Sequence, residues 1–198
     1  MTQDNIILNF LEKFFRSNIY LFLTSRFLIG KYFSKFIYDS DFKIIKILEN
    51  KNFFDSKKLI LDIGANDGMS YNIIRKFTNK AKIISFEPNK YNFKKLKKIE
   101  QIDNLFKCKN IALSNFNQKK DFYTPYFKKY AITQMAGINK SGVKKRLKSS
   151  LFFKDIDKVI HLKKETLKAK KLDHFKYNPC FIKIDIEGYE LECIKGAL

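Results

Sequence analysis

Apolar residues in this chain fall into short runs that alternate with stretches of helical spacing. The runs predict strands over residues 59–63, 82–86, 106–113 and 180–186. The intervening spacing predicts helices over residues 69–78, 91–99 and 189–197. Short β-branched runs of this kind are typical of buried strands. Strands that alternate with helices indicate an α/β fold with a mostly parallel sheet and right-handed crossovers.

The first 50 residues follow a different pattern, which predicts two or three amphipathic helices. Their longest uncharged span, residues 17–25, is well short of the ~20 residues needed to cross a bilayer. Most helices of this kind cap a core. The alternative is an interfacial anchor on an anionic membrane, because basic residues such as Lys13 and Arg16 accompany many Phe and Leu residues. We therefore divide the chain into a helical cap or interfacial segment, 1–50, and a core domain, 51–198.

Residues 116–171 have the least regular pattern, and within them only a short strand over 159–162 is predicted. Aromatic residues such as Tyr123 and Tyr126 stand among lysines here. Basic residues interleaved with aromatics bind single-stranded nucleic acid in some proteins. They are equally suited to line a sugar pocket or to cover a sheet.

A glycine-bearing turn after the first predicted strand is the strongest candidate for chemistry. Asp62 lies near the end of that strand, and Gly64 and Gly68 follow. Glu87 ends the next strand about twenty residues further on, where open α/β folds place a carboxylate for ribose hydroxyls. A pyrophosphate-binding turn requires a third glycine at the position that Met69 occupies in this chain, and the Asp62 carboxylate would repel a pyrophosphate. The turn therefore suits a ligand that carries no phosphate.

Five motifs, in this order and at this spacing, resemble the FkbM-type family of S-adenosylmethionine-dependent methyltransferases. They are Leu61-Asp62-Ile63-Gly64-Ala65-Asn66-Asp67-Gly68, Phe86-Glu87-Pro88-Asn89, Asn110-Ile111-Ala112-Leu113-Ser114, Lys171-Leu172-Asp173 and Ile182-Lys183-Ile184-Asp185-Ile186-Glu187-Gly188-Tyr189-Glu190-Leu191 with Lys195-Gly196-Ala197. The resemblance covers the chain from about residue 58 to its last residue.

The resemblance implies a Rossmann-like class I methyltransferase core, with helices on both faces of the sheet, and S-adenosylmethionine as cofactor. The cofactor-binding residues that it implies are Asp62, Gly64, Ala65, Asn66, Gly68, Glu87, Ile111 and Ala112. In that arrangement Glu87 would accept from the ribose hydroxyls, and Ile111 and Ala112 would lie near the adenine. Asp62 would suit the cationic methionine end, and Asn66 would meet the amino-acid portion.

Charged residues on the fourth predicted strand are the candidate catalytic groups. Lys183, Asp185 and Glu187 are expected to share one face of that strand, whose end would border the ligand crevice. Asp185 is the first choice for a base or an acceptor-positioning group, and Glu187 is the second. The alternatives are a structural Lys183–Asp185 pair and a helix N-terminal charge at Glu187. No metal is expected, because Asp185 has no evident second and third ligand nearby.

Composition adds a strong positive charge. The chain has 198 residues with 40 Lys and Arg against 20 Asp and Glu, a formal net charge of +20. Residues 119–171 hold 16 basic and 4 acidic residues, so 12 of those charges are concentrated there. Such a balance favours an anionic partner, although a solvated lysine-rich surface explains it equally simply. Three cysteines indicate neither a disulfide framework nor a metal pair.

The function predicted from these observations is O-methylation of a sugar, glycan or small-metabolite hydroxyl, in the cytoplasm and in peripheral contact with a membrane if residues 1–50 form an anchor. One alternative is a non-catalytic methyltransferase-like module that binds a membrane or a partner, and a cofactor titration separates it from an enzyme. The other is a nucleic-acid methyltransferase, which the charge favours and a gel shift with a salt series tests.

A class I methyltransferase sheet has the strand order 3-2-1-4-5-7-6, and the sequence provides only the first four of these strands. We therefore expect a core that is truncated after the fourth strand. That strand would form an edge carrying Phe181, Ile182, Ile184 and Ile186. Exposed apolar edges pair with other chains, so an oligomer is expected.

Overall fold

The computed structural model describes Leu21 and residues 43–55, 57–151 and 156–197. In that part of the chain the strands are β1 (Leu59–Ile63), β2 (Lys82–Phe86), β3 (Phe106–Lys109), β4 (Ala112–Leu113), β5 (Gln118–Phe127), β6 (Tyr130–Ala131), β7 (Ile160–Lys170) and β8 (Phe181–Ile184). The helices are α1 (Lys43–Asn50), α2 (Met69–Phe77), α3 (Lys90–Ile102), α4 (Lys140–Ser150), α5 (Ile156–Val159) and α6 (Glu190–Lys195), with 3-10 helices at Thr133–Met135 and Leu172–Phe175. The amphipathic helices predicted before α1 lie outside the described residues, apart from Leu21.

Sheet A, with strand order β3-β2-β1-β8, is parallel throughout and positions the site. This order agrees with the 3-2-1-4 order expected for the first four strands. β1 lies in the interior of the sheet, and four of its five residues are buried. A strand covered on both faces reads as a continuous apolar run, which explains why its bounds were predicted correctly.

β8 is shorter than the strand predicted over residues 180–186. It ends at Ile184, so Asp185 and Glu187 follow the strand. The Asp185 carboxylate still lies 3.8 Å from the Lys183 ammonium, as a shared face predicts, whereas Glu187 pairs with Arg146 and does not join them. Beyond the strand the chain turns at Glu187 and Gly188, which have φ angles of 58° and 92°. β8 pairs with β1 and is the outer strand of sheet A among the described residues.

Helices cover both faces of sheet A. The cluster towards α1, α2 and α3 contains the buried residues Ile45, Ile60, Ile74, Ile83 and Leu96. The cluster on the opposite face, towards α6 and the 3-10 helix Leu172–Phe175, contains Leu61, Ile63, Phe86, Leu172 and Cys193. The predicted α/β architecture is therefore confirmed for the core.

Three strands within residues 116–171, β5, β6 and β7, form a second sheet, sheet B, together with β4, in the order β4-β7-β5-β6. The sequence-based expectation of an irregular segment is therefore wrong. β5 and β7 pair antiparallel along their length, from Gln118 opposite Ala169 to Phe127 opposite Ile160. Both faces of this pair are partly covered, one by α4 and the other by the segment that carries Ala136 and Ile138, so its residues show no clean alternation of apolar and polar side chains.

The predicted third strand, residues 106–113, is divided between the two sheets. β3 belongs to sheet A and β4 to sheet B. The break falls at Asn110, whose side chain donates to the carbonyl oxygens of Glu87 and Pro88, at 2.9 and 2.8 Å. These bonds turn the chain from one sheet to the other.

Two side-chain contacts, one from sheet B and one from the 3-10 helix after β6, reach the loops of sheet A. The Asn89 amide donates to the Thr124 hydroxyl on β5 at 3.1 Å, and both side chains are buried. The Thr133 hydroxyl donates to the Asn66 side-chain oxygen at 3.3 Å. Asn89 also caps α3, because its side-chain oxygen accepts from the backbone N–H groups of Tyr91 and Asn92. The Asn89 side chain thus both caps α3 and makes a contact between the two sheets.

We predict that Asn89→Ala lowers the free energy of unfolding by about 2–3 kcal/mol. Loss of a cap costs about 1 kcal/mol, and the rest follows from the buried Thr124 hydroxyl that is left without its partner. Urea denaturation measures the difference. Asn139→Ala is the matched control, because Asn139 caps α4 in the same way at an exposed site. Equal losses in the two variants would show that the Thr124 contact contributes nothing.

Among the described residues, every helix is too short or too polar to span a bilayer.

Candidate active-site cleft

A cleft opens at the carboxyl ends of β1, β2 and β8, between sheet A and sheet B. The cleft is open to solvent, and the empty space inside it is about 660 Å³. The sequence-predicted residues that line it are Gly64, Asn66, Glu87, Ile111, Ala112, Asp185 and Glu187. Ligands of open parallel sheets bind at this end of the strands.

The turn after β1 brings the backbone close to the end of β8. Gly64 has a φ of 79°, and its N–H donates to the carbonyl oxygen of Phe86 at 2.9 Å. A Cβ atom on Gly64 would lie 2.8 Å from the carbonyl carbon of Asp185 and closer still to its oxygen. Glycine is therefore required here both for the left-handed conformation and for the close approach of the two chain segments.

Glu87 is a buried carboxylate at the base of the cleft, with 5% of its surface exposed. One carboxylate oxygen accepts from the backbone N–H of Asn66 at 2.8 Å, and the other accepts from that of Asn89 at 2.7 Å. Burial raises the pKa of the Glu87 carboxyl to about 7, although these two donors favour its ionised form. Each oxygen keeps a further lone pair, so Glu87 can accept from a ligand on the cleft side.

Asp62 lies behind the turn and not on the cleft wall. It is fully buried, and its Oδ2 accepts from the hydroxyls of Ser70 and Ser85, at 2.7 and 3.2 Å. The Lys183 ammonium lies 3.2 Å from Asp62 Oδ1. Asp62 was predicted to contact the methionine end of the cofactor, and the structure places it beneath the turn, outside the lining of the cleft.

The Lys183 side chain also reaches the region beneath the turn after β1. Its ammonium donates to the carbonyl oxygen of Gly64 at 3.0 Å and lies 3.8 Å from Asp185 Oδ2. The Lys183–Asp185 pair that the sequence suggested is therefore the longer of the two ion pairs that Lys183 makes. Lys183 does not line the cleft.

Asp185 and Glu187 stand at the mouth of the cleft. The Asp185 side chain is 63% exposed. Glu187 is held by Arg146 of α4, whose guanidinium donates to the Glu187 carbonyl oxygen at 2.8 Å and lies 3.4 Å from its carboxylate. The same guanidinium donates to the carbonyl oxygens of Met135 and Ala136. No sequence signal singled out Arg146 from the other basic residues of the range 119–171.

Ala65 and Gly68 belong to the turn but do not line the cleft. Ala65 is buried in the core. A Cβ atom on Gly68 would lie against the side chains of Leu96 and Ile99 of α3. Ile111 and Ala112 line it together with Phe86, and these three form an apolar wall next to Glu87.

The second wall of the cleft was missed by sequence reasoning. It includes Phe122, Thr133, Gln134, Ile138 and Tyr189. Four of these come from the segment predicted to be irregular, and no local signal distinguishes them from their neighbours. Among the described residues no group of three or more His, Cys, Asp or Glu side chains is placed to hold a metal ion.

The fold is that of an α/β protein with a parallel sheet and a cleft at the carboxyl ends of its strands. A family model, the methyltransferase FkbM domain, matches residues 62–198. This match covers more than half of the chain, so the chain belongs to the FkbM methyltransferase family, as the motifs indicated. No curated protein and no solved structure matches it.

Proposed function

We propose that this chain is an S-adenosylmethionine-dependent O-methyltransferase that acts on a hydroxyl of a sugar, a glycan or a small metabolite. The observation that carries the proposal is the buried Glu87 carboxylate beside the Gly64 turn at one end of the cleft. A carboxylate with free lone pairs in a largely apolar cleft is suited to a ligand that donates hydroxyl hydrogens to it.

The residues on the β1–β2 side of the cleft fit this cofactor. Glu87 would accept from the ribose hydroxyls, and the apolar wall of Phe86, Ile111 and Ala112 would cover the adenine. Gly64 and Asn66 would meet the amino-acid portion. The bound cofactor supplies an electrophilic methyl group on a sulfonium sulfur.

The residues on the sheet B side fit a hydroxyl-bearing acceptor. Phe122 and Ile138 provide an apolar surface, and Gln134 and Tyr189 add polar groups that can bond hydroxyls. Asp185 orients the acceptor hydroxyl and takes up its proton, since its carboxylate is exposed to the cleft and Lys183 is held mainly by Asp62 and Gly64. Orientation of the acceptor hydroxyl towards the methyl group supplies most of the remaining acceleration.

Cofactor affinity should rise with pH through about 7. Hydrogen bonds from ribose hydroxyls need the ionised Glu87 carboxylate, whose pKa is raised by burial to about 7 in the free protein. Below that pH, ligand binding must displace a proton from the Glu87 carboxyl. The affinity for S-adenosylhomocysteine, the demethylated product, should therefore increase from pH 6 to pH 8. Calorimetry across this range measures the effect. Glu87→Gln should flatten the profile, and an unchanged slope in that variant would exclude Glu87 as its source.

The test of the reaction uses the purified chain with methyl-labelled S-adenosylmethionine and separate pools of neutral oligosaccharides, small polyols and RNA. Label transferred to a hydroxyl of a sugar or polyol supports the proposal, and Asp185→Asn should reduce it without changing cofactor affinity. Label in RNA alone would replace the proposal by a nucleic-acid methyltransferase. Cofactor binding without transfer to any pool would favour a non-catalytic module.

A cytoplasmic location and self-association through β8 remain predictions. Contact of residues 1–50 with an anionic membrane is a further prediction. Co-sedimentation with anionic liposomes that is reversed by salt, and lost when residues 1–50 are deleted, would support the membrane contact.

A further inference from the structure

A polar network lies under the glycine turn, on the face of sheet A that α2 covers. The strand register places Asp62 of β1 between Ser85 of β2 and Lys183 of β8. Neighbouring residues at the same register point to the same face, so the three side chains meet there. Ser70 of α2 completes the network from above, through its bond to Asp62.

An ion pair and hydrogen bonds together hold this network. Asp62 is fully buried, and its Oδ1 makes no hydrogen bond even though the Lys183 ammonium is 3.2 Å away. The ammonium instead directs its hydrogen bond to the Gly64 carbonyl oxygen at 3.0 Å. A buried carboxylate is tolerated only when an opposite charge is close, so the pair fixes the position of Lys183 under the turn.

We propose that Asp62 and Lys183 are a positioning pair for the cofactor site: Lys183 holds the Gly64 carbonyl in place, and the two charges together set the electrostatic field at Glu87 from behind the cleft wall. The proposal rests on the proposed cofactor site. It gives Lys183 a role in binding the cofactor and not in the transfer step, because its ammonium reaches the turn and does not line the cleft.

The charges around Glu87 are consistent with this role. The Asp62 carboxylate raises the pKa of Glu87, and the Lys183 ammonium lowers it. The other charged groups near the turn and the cleft have partners or face solvent: Asp67 with Lys95 of α3, Glu187 with Arg146 of α4, and Asp185 at the exposed mouth. The buried pair therefore dominates the charge that Glu87 meets from inside the protein.

A direct test compares Asp62→Asn with the double variant Asp62→Asn/Lys183→Met. Removal of Lys183 alone would leave Asp62 buried without a counter-charge, so the comparison starts from the neutral Asn background. Neutral replacement of a buried ion pair is often tolerated. The readout is affinity for S-adenosylhomocysteine by calorimetry between pH 5.5 and 9, with circular dichroism to confirm that each variant is folded.

We expect three results. Asp62→Asn moves the midpoint of the affinity profile to lower pH than in the wild type, because a negative charge near Glu87 is gone. The double variant moves it back to higher pH, because the lysine charge is gone as well. Its affinity at high pH falls about tenfold below that of Asp62→Asn, the size expected when a hydrogen bond from a charged donor is lost.

Asp62→Asn/Lys183→Gln is a second variant that separates the two roles and serves if the Met variant does not fold. Glutamine keeps an amide donor for the Gly64 carbonyl but carries no charge, so the midpoint should shift as with Met while the affinity at high pH is largely kept. Lys195→Met removes an exposed lysine paired with Glu192 and should change neither quantity.

The inference is overturned if removal of Lys183 from the Asp62→Asn background leaves the midpoint of the affinity profile unchanged. A loss of affinity that is the same at every pH also overturns it, because a merely structural role would produce that result. Absence of binding by the folded wild-type chain would instead overturn the proposed function.

Discussion

A Gly64→Ala protein is expected to bind S-adenosylhomocysteine at least 100-fold more weakly than the wild type and to lose about 3–5 kcal/mol of unfolding free energy. An added Cβ would lie 2.8 Å from the carbonyl carbon of Asp185 and 2.9 Å from Cγ2 of Ile186. Most of that clash is with backbone, so the turn and the end of β8 must separate. A φ of 79° adds strain that alanine does not relieve. Calorimetry and urea denaturation measure the two losses.

Gly188→Ala is the matched control for this change. Gly188 has a φ of 92°, but a Cβ there would meet no atom within 4 Å. It should therefore cost only the conformational strain, about 1–2 kcal/mol, and leave cofactor affinity within a fewfold of the wild type. Similar behaviour of the two alanine variants would mean that close packing of the turn against β8 has no part in forming the site.

The second large effect is expected from Glu87→Ala, which should weaken cofactor binding by about 1–3 kcal/mol, or roughly 5- to 150-fold. The variant removes the acceptor for the ribose hydroxyls. It also leaves the backbone N–H groups of Asn66 and Asn89 without their acceptor, which distorts the turn. Calorimetry on a variant shown by circular dichroism to be folded measures the loss, and unchanged affinity would exclude this placement of the ribose.

The pH dependence of the unfolding free energy tests the raised pKa of Glu87 without any ligand. The pKa of Glu87 is raised from its ordinary value of 4.5 to about 7, so its contribution to the stability of the free protein is fully present below pH 4.5 and is lost as the pH rises through 7. The wild type should therefore be less stable at pH 8 than at pH 6, and Glu87→Gln should lose this part of the slope. The difference between the two proteins isolates Glu87 from other titrating groups.

The central sheet could be predicted from the sequence because its inner strands are buried on both faces. β1 and β2 read as short apolar runs whose predicted bounds agree with the structure. Sheet B could not be predicted in the same way. Lys119 and Lys168 lie directly opposite each other on β5 and β7, and nothing local indicates that two lysine-rich segments some fifty residues apart pair.

The part of the site that is formed by residues at the carboxyl ends of strands could be predicted from the sequence. Gly64, Glu87 and Asp185 each follow a parallel strand, and the carboxyl ends of neighbouring parallel strands meet at one edge. The wall that contains Phe122 and Gln134 needs sheet B, so it was not predictable. Asp62 was expected to meet the ligand, but the two-residue period of the strand places it on the same face as Ile60, towards α2.

The most direct test of the account is a calorimetric titration of the purified wild-type chain with S-adenosylhomocysteine at pH 8, where Glu87 is ionised. We predict saturable binding of about one molecule per chain, strongly weakened by Gly64→Ala and Glu87→Ala and little changed by Gly188→Ala. A folded wild-type chain that binds no S-adenosylhomocysteine, or that binds it equally well after both site substitutions, would contradict the assignment of this cleft as the cofactor site.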